Sequence, residues 1–382
     1  MSLPYPELGA SWRAARSVPT AGFLDAARCN IPSDAVLRAQ QDQHRREREL
    51  GGYEAEAAAA EPLATLRCGL AALLDAAPQD VGLVQSGTLG VQLALFGLRL
   101  PAGTPVVVSR AEYASNRLFV DDLARRRGWS VQEVSHDAAG VVDLPAIARA
   151  LAAGAGLVLL SHVASQRGDR QPAAEVGALT RAYGALFVLD VAQSLGQLDC
   201  TGIGADVYVG TSRKWLAGPR GVGFVVAPAA GRDDRVDAPH TAGSHGPRSA
   251  RAARGQAFEA DEADIGGRLG LAQAVAELRA AGPARVFARL AALGAATREV
   301  LDGAGGWQVR ERGEPTAIIS LQPPAGVAVE ATVAAARAAG VRVGVVPQER
   351  AVDLEGPVLR VSPSLGAEPS DLERLARVLA TR

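Results

Sequence analysis

Residues 186–227 read LFVLDVAQSLGQLDCTGIGADVYVGTSRKWLAGPRGVGFVVA, and the architecture follows from them. Three runs inside this stretch, Leu186 to Asp190, Asp206 to Gly210 and Gly223 to Ala227, are short, apolar, rich in β-branched residues and bounded by turn residues. That is the pattern of strands buried on both faces, as in a parallel sheet. The first runs out into Asp190-Val191-Ala192-Gln193. The second runs out into Gly210-Thr211-Ser212-Arg213-Lys214-Trp215-Leu216, before the turn Gly218-Pro219-Arg220-Gly221-Val222-Gly223 reverses the chain. Open α/β sheets bind ligands just beyond the carboxyl ends of their strands. Asp190 and Lys214 lie one strand-to-strand step apart (214 − 190 = 24 residues), so both side chains can converge on one small ligand. Gln193 reaches the same place from the next turn. A carboxylate ending an apolar strand is poorly solvated unless it meets a cation, and the lysine is one. Taken singly, the aspartate also suits a helix N-cap and the lysine a surface position.

The alternation continues outward. Strands are expected at Val81 to Gln85, Pro105 to Ser109, Ser130 to Val134 and Gly156 to His162. Helices, from apolar residues at three- and four-residue spacing, are expected at Ala55 to Leu74, Leu89 to Gly97, Asn116 to Gly128, Leu144 to Ala153 and Pro172 to Tyr183. Strands alternating with helices of crossover length give the α/β class, with one mainly parallel seven-stranded sheet covered on both faces. From Pro228 to Gln256 the periodicity gives way to Gly, Pro, Ser, Asp and Arg, the composition of a long exposed loop. Its RSARAARG run, residues 248–255, reads either as a phosphate-binding strip or as a solvated loop. Helices at Leu271 to Ala281 and Ala284 to Leu301 then lead to strands around Trp307 to Glu311, Ala317 to Leu321 and Leu359 to Ser362, a separate small α+β unit. A boundary near residue 270 divides a large domain (30–270) from a small one (1–29 and 271–382), and no internal repeat occurs.

Composition narrows the function. With 48% hydrophobic and 21% charged residues among 382, the chain has the make-up of a packed globular protein. Forty Lys plus Arg against 41 Asp plus Glu leave a net charge of −1, which argues against a nucleic-acid partner. The apolar runs fall far short of the roughly 20 residues that cross a bilayer. Cys29, Cys68 and Cys200 are too few and too scattered for a disulfide framework or a Cys-x-x-Cys metal site, and MSLPYPELGASW has no basic segment followed by an apolar one. A reducing cytoplasm and no bound metal are expected. Lys214 is the single lysine, so the other 39 of the 40 basic residues are arginines. Arginine replaces lysine wherever positive charge suffices; the position that keeps lysine is one where an amine must be able to lose its proton.

A further loop, Gln85-Ser86-Gly87-Thr88-Leu89, carries a strand into a small-residue turn and then a helix. The N–H groups of Gly87 and Thr88 and the Thr88 hydroxyl lie at the positive end of the helix dipole, a cradle for phosphate or carboxylate. The same turn serves equally as an ordinary helix cap.

On these residues the chain resembles, over nearly its whole length, the class V branch of the fold-type I pyridoxal 5'-phosphate (PLP) enzymes, which includes cysteine desulfurases and C–S lyases. The resemblance implies that Lys214 carries the cofactor, that Asp190 partners its pyridinium nitrogen and that Gln193 donates to its phenolic oxygen. Gly87, Thr88 and Thr211 would hold the phosphate, with Arg213 where desulfurases usually have His. In Arg110-Ala111-Glu112-Tyr113-Ala114-Ser115-Asn116 the family commonly has Glu-His, so Tyr113 takes the place of the imidazole stacked on the ring. In Ser161-His162-Val163-Ala164-Ser165-Gln166-Arg167-Gly168, Ser165 stands near the cofactor oxygen, where Asn is usual. Arg360, in Val358-Leu359-Arg360-Val361-Ser362, matches the arginine that clamps the substrate's α-carboxylate with two parallel hydrogen bonds. Phe258 to Asp264 aligns with a Phe-Glu-x-Gly-Thr pattern whose threonine reaches the partner subunit's phosphate; acidic residues replace Gly-Thr here. A homodimer is implied, as the family usually forms one.

A desulfurase needs a cysteine on a mobile loop of the small domain to accept sulfur. No cysteine follows Cys200, and Gly344 to Gly356 reads GVVPQERAVDLEG. Cys29 is either a thiol near the site or a buried structural one. Gly51-Gly52-Tyr53, the segment from Ala192 to Cys200 and the segment from Ser212 to Gly223 look like the C–S lyases of ergothioneine biosynthesis. In outline the chain is also similar to the paired PLP enzymes of lincosamide antibiotic biosynthesis. The implied activity is that of a C–S β-lyase cleaving a small cysteine S-conjugate to a thiol, pyruvate and ammonia. The alternative is decarboxylation-coupled oxidative deamination of the same kind of S-cysteinyl conjugate; desulfurase and aminotransferase activities rank below both.

Overall fold

The computed structural model describes residues 3–137, 139–229, 233–237, 254–310, 313 and 316–381. Seven strands, β1 (Val81–Val84), β2 (Pro105–Ser109), β3 (Ser130–Val134), β4 (Leu157–Ser161), β5 (Leu186–Asp190), β6 (Val207–Thr211) and β7 (Gly223–Val226), form one sheet in the order β1-β7-β6-β5-β4-β2-β3. All neighbours from β3 to β6 pair in parallel, while β7 runs antiparallel to both β6 and β1. β4 and β7 are buried at every position, which is why they read as unbroken apolar runs. Along β5 the side chains alternate between two apolar layers: Phe187 and Leu189 join one, Leu186 and Val188 the other.

Helices α1 (Pro6–Ala14), α2 (Asp34–Leu50), α3 (Gly52–Ala57) and α4 (Ala60–Ala72) precede the sheet. Helices α5 (Gly87–Phe96), α6 (Ala114–Arg127), α7 (Leu144–Ala152) and α8 (Ala173–Tyr183) connect its strands. Beyond it come α9 (Ile265–Ala281), α10 (Pro283–Leu301), α11 (Val329–Ala338) and α12 (Pro369–Ala380). A second, antiparallel sheet has the order β10-β11-β9-β8, from β8 (Gln308–Val309), β9 (Ile319–Gln322), β10 (Gly344–Val346) and β11 (Val358–Val361). The N-terminal segment joins its edge and end through bridges from Phe23 to Arg342 and from Asp25 to Ser362.

Three expectations need correction. The helix expected over Ala55 to Leu74 is two helices, because the Pro62 ring would collide with the carbonyl of residue 58 in a continuous one. The helix expected to begin at Leu271 begins at Ile265, where Asp264 caps it by accepting from Gly267 N at 2.7 Å. Helices α1, α2, α11 and α12 and strand β10 exceed the expected set. Of the RSARAARG run, residues 248–253 lie outside the described residues, as does Glu311. No helix among the described residues is long and apolar enough to cross a membrane.

Candidate active site

A cavity of about 550 Å³, counted to its open mouth, lies beyond the carboxyl ends of β4, β5 and β6. Gly87, Thr88, Tyr113, Ser165, Asp190, Gln193, Thr211, Arg213 and Lys214, the residues named from the sequence for the cofactor, all line it. Ser86, Ser161, Val163 and Ala192 complete the wall. Arg360 is not part of that lining: its Nη1 donates to the carbonyl of the wall residue Ser165 at 3.1 Å, and its Nη2 lies 3.5 Å from Asp25 Oδ1.

Each wall has a local cause. Ser86 caps α5 by accepting from Leu89 N at 3.1 Å, which leaves the other first-turn N–H groups, without intrahelical acceptors, directed at the cavity end of the helix. β7 passes close by only because residue 223 is glycine: a Cβ there would lie 2.5 Å from Ser86 C and 2.7 Å from Gly87 N. The loop carrying Lys214 is a tight turn, closed by Ala217 N to Lys214 O (3.0 Å) and Gly218 N to Ser212 O (3.0 Å), with Ala217 in the left-handed region at φ 54°. Trp215 Nε1 donates to Gln193 Oε1 at 3.0 Å, and since indole can only donate, this fixes the Gln193 amide; its Nε2 donates to Ala27 O at 3.1 Å.

Lys214 is 9% exposed, and its Nζ stands 5.9 Å from the Tyr113 ring centroid. Burial pushes its pKa down to about 7; the Asp190 charge opposes this and the Arg213 and Arg360 charges add to it. Burial thus favours the neutral amine, the form a nucleophile or base requires. Asp190 is held from two sides: Oδ1 accepts from Ala192 N at 2.8 Å and Oδ2 from Asn116 Nδ2 at 3.0 Å. The first-turn N–H groups of α5, with Thr88, Thr211 and Arg213, can hold a phosphate, and Tyr113 presents a flat face.

Neither Cys29 nor Cys200 lines the cavity. Cys200 is buried beside His162, and burial pushes its thiol up to about 12, so it carries no thiolate. The segment where a desulfurase would carry its cysteine is tied down instead: Asp353 accepts from Gln166 Nε2 and Arg167 Nη1, each at 3.0 Å. Glu259, in the segment aligned with Phe-Glu-x-Gly-Thr, pairs with Arg67 at 2.5 Å and Arg268 at 3.1 Å and accepts from Leu83 N at 3.0 Å. Sequence reasoning passed over Asn116 and Asp25. The signal available for Asn116 was a helix-start amide four residues beyond Glu112.

The family model for class V aminotransferases matches residues 23–375. A Mycobacterium tuberculosis protein named probable hercynylcysteine sulfoxide lyase is 37% identical, over 96% of this chain and 92% of its own. Among solved structures, the apo cysteine desulfurase from Thermococcus onnurineus NA1 superposes with a TM-score of 0.87 at 20% identity, covering 100% of this chain and 98% of its own. The cystine C–S lyase C-DES, in complex with its product cysteine persulfide, gives 0.82 at 20% identity, covering 94% and 97%. At such identity both speak for the fold. This chain belongs to the class V aminotransferase family of fold-type I, pyridoxal 5'-phosphate-dependent enzymes.

Proposed function

We propose that the enzyme is a C–S β-lyase that cleaves a cysteine S-conjugate of the ergothioneine or lincosamide type to a thiol, pyruvate and ammonia. The residues present fit PLP. The cavity is within the range of small-molecule sites, its wall holds both a lone amine and a carboxylate whose charges interact, and helix N–H groups with Thr88, Thr211 and Arg213 suit a phosphate. When bound, PLP supplies an electron sink for a bond broken at an amino acid's Cα.

The chain's own residues do the rest. Lys214 would hold the cofactor, and its Nζ would take the Cα proton, a task suited to an amine whose pKa burial brings down to about 7. Asp190 would keep the ring nitrogen positive, Tyr113 would cover the ring face, and Gln193 and Ser165 would bind the ring oxygen. Arg360, one residue-contact behind Ser165, orients the substrate's α-carboxylate. With the Cα proton gone, the electron pair left on Cα forms the Cα=Cβ bond as the Cβ–S pair leaves with sulfur, as thiolate from a thioether conjugate, and hydrolysis of the remaining three-carbon fragment by water gives pyruvate and ammonia. The observation that carries a lyase over a desulfurase is the cavity wall: among the described residues it offers one amine, Lys214, and no thiol. The whole-length likeness to the lyase from M. tuberculosis supports the same reading. A homodimer, a cytoplasmic location and the division into a large domain (30–270) and a clamping domain (1–29 and 271–382) belong to the same proposal.

The test is product analysis with an S-cysteinyl conjugate. Pyruvate and free thiol in equal amounts are expected, and Lys214→Ala is expected to abolish both. Carbon dioxide, oxygen uptake and a retained two-carbon thioether would instead identify decarboxylative oxidative deamination.

A further inference from the structure

Behind Asp190 lies a buried polar cluster that the chemistry above does not use. Glu112 is 5% exposed and Asn116 1%. Glu112 Oε1 accepts from Tyr113 N (2.9 Å), Asn116 Nδ2 (3.0 Å) and Ser161 Oγ (2.6 Å), and Oε2 accepts from Ser161 N (2.8 Å). Asn116 Nδ2 donates its second hydrogen to Asp190 Oδ2 at 3.0 Å. One amide nitrogen thus bridges two carboxylates. Burial and the Asp190 charge raise the Glu112 carboxyl pKa, yet its Oε1 still accepts from Tyr113 N and Ser161 Oγ, so the amide turns its N–H end toward both carboxyl groups. The price is visible: Asn116 Oδ1 is buried without a hydrogen-bond partner, a state that persists only where the bridge outweighs it.

We propose that Asn116 is a positioning residue: anchored on buried Glu112, its amide holds Asp190 so that the carboxylate presents its remaining lone pairs to the cofactor's ring nitrogen. This deepens the functional reading above and rests on it. Ala192 N holds the other carboxylate oxygen at 2.8 Å, so with one donor on each oxygen the group cannot rotate freely. Glu112 is itself fixed to Ser161, the residue paired with Asp190 in the register of β4 and β5. The network therefore locks the ends of two strands and the start of α6 into one arrangement.

The test uses full-length Asn116→Ala, Asn116→Asp and Asp190→Ala. Three quantities are read: melting temperature of the apo protein, PLP affinity by tryptophan-fluorescence titration, and the pH midpoint of the visible absorption band of the loaded protein. Asn116→Ala is expected to bind PLP about tenfold more weakly, the factor that corresponds to one lost hydrogen bond to a charged group. Its band midpoint is expected to move in the same direction as that of Asp190→Ala, by less. Asn116→Asp, the same shape with an acceptor against two acceptors, is expected to lose more, and it carries the test if Asn116→Ala does not fold. Wild-type affinity and midpoint in the Asn116 variants, with both altered in Asp190→Ala, overturn the inference while leaving the role of Asp190 intact. A lowered melting temperature with an unmoved midpoint makes Asn116 merely structural and overturns it too. No effect in Asp190→Ala removes the reading on which the inference rests.

Discussion

Lys214, to which the proposed reading gives the central chemistry, is buried, and its burial has a stability consequence. The unfolded amine titrates near 10.5 and the folded one near 7, so between those values the unfolded chain binds more protons than the folded one. Stability of the apo protein therefore rises with pH through that window, and its full contribution is lost as pH falls through about 7. Lys214→Met, which removes the buried charge and keeps the length, is expected to raise apo stability by several kcal/mol at pH 6 and by little at pH 10. Urea unfolding at both pH values measures this; an equal gain at both would show that the amine is not desolvated. The same shift predicts that borohydride trapping of PLP on the apo protein speeds up between pH 6 and 8, because only the neutral amine attacks. A rate that keeps rising about tenfold per pH unit through pH 9, as for an ordinary lysine titrating near 10.5, instead of levelling off above about pH 8, would contradict it. The position of Lys214 was legible because it is alone in the composition and sits at a strand end. Asn116, Glu112 and Asp25 were not, since amides and carboxylates are common and theirs matter only through partners distant in sequence, such as Asn116 with Asp190 and Asp25 with Arg360.

Among the elements, β7 and α5 show how a strand's register places a binding turn. Gly223 pairs with Val84 on one side and Thr211 on the other, and its missing side chain admits the Ser86-Gly87 backbone. Gly223→Ala would force a Cβ to within 2.5 Å of backbone that has nowhere to move. A loss of about 1–3 kcal/mol in unfolding free energy is expected from this overpacking, together with weaker inorganic phosphate and PLP binding. Unchanged phosphate affinity in a destabilised variant would mean that the turn is not the phosphate cradle. Strands buried on both faces were readable to within a residue or two because their apolar runs are continuous, as in Leu186 to Asp190. Helix α2 was not, because among its 17 residues only Val36 and Gln43 are buried, so it shows no apolar stripe. It is held instead by its Ser33 cap, whose hydroxyl also donates to Glu277 Oε1 of α9 at 2.6 Å. Such a helix is specified by tertiary partners more than by its own pattern.

For the whole molecule, the strip from Gly22 to Asn30 connects the two sheets. On one side Leu24 N donates to Arg342 O (2.9 Å), Ala26 N to Ser362 O (2.9 Å) and Ser362 N to Leu24 O (2.7 Å), adding a strand-like edge to the small sheet. On the other side Ala27 O accepts from Gln193 Nε2 (3.1 Å), Arg28 O accepts from the Arg213 guanidinium, and Asn30 N donates to Arg213 O (2.8 Å). Asp25, between the two sets, meets Arg360; burial is the main cause raising its carboxyl pKa and lowering that of the guanidinium, so both ions gain from the pairing. A strip bonded to the small sheet at one end and to the Lys214 loop at the other is expected to transmit disturbance between them. Ala26→Pro deletes the Ala26 N–H and strands the buried Ser362 carbonyl, at a cost of about 1–3 kcal/mol. It is expected to weaken PLP binding as well as stability, although Ala26 itself does not line the cavity. Val329→Ala, at a buried position of α11, which packs on the same sheet, is expected to lower stability by a similar amount and leave PLP affinity alone. Matched unfolding and PLP-titration measurements on the two variants separate the cases: if Ala26→Pro binds PLP as tightly as Val329→Ala does, the strip is a packing element and the two sheets respond independently.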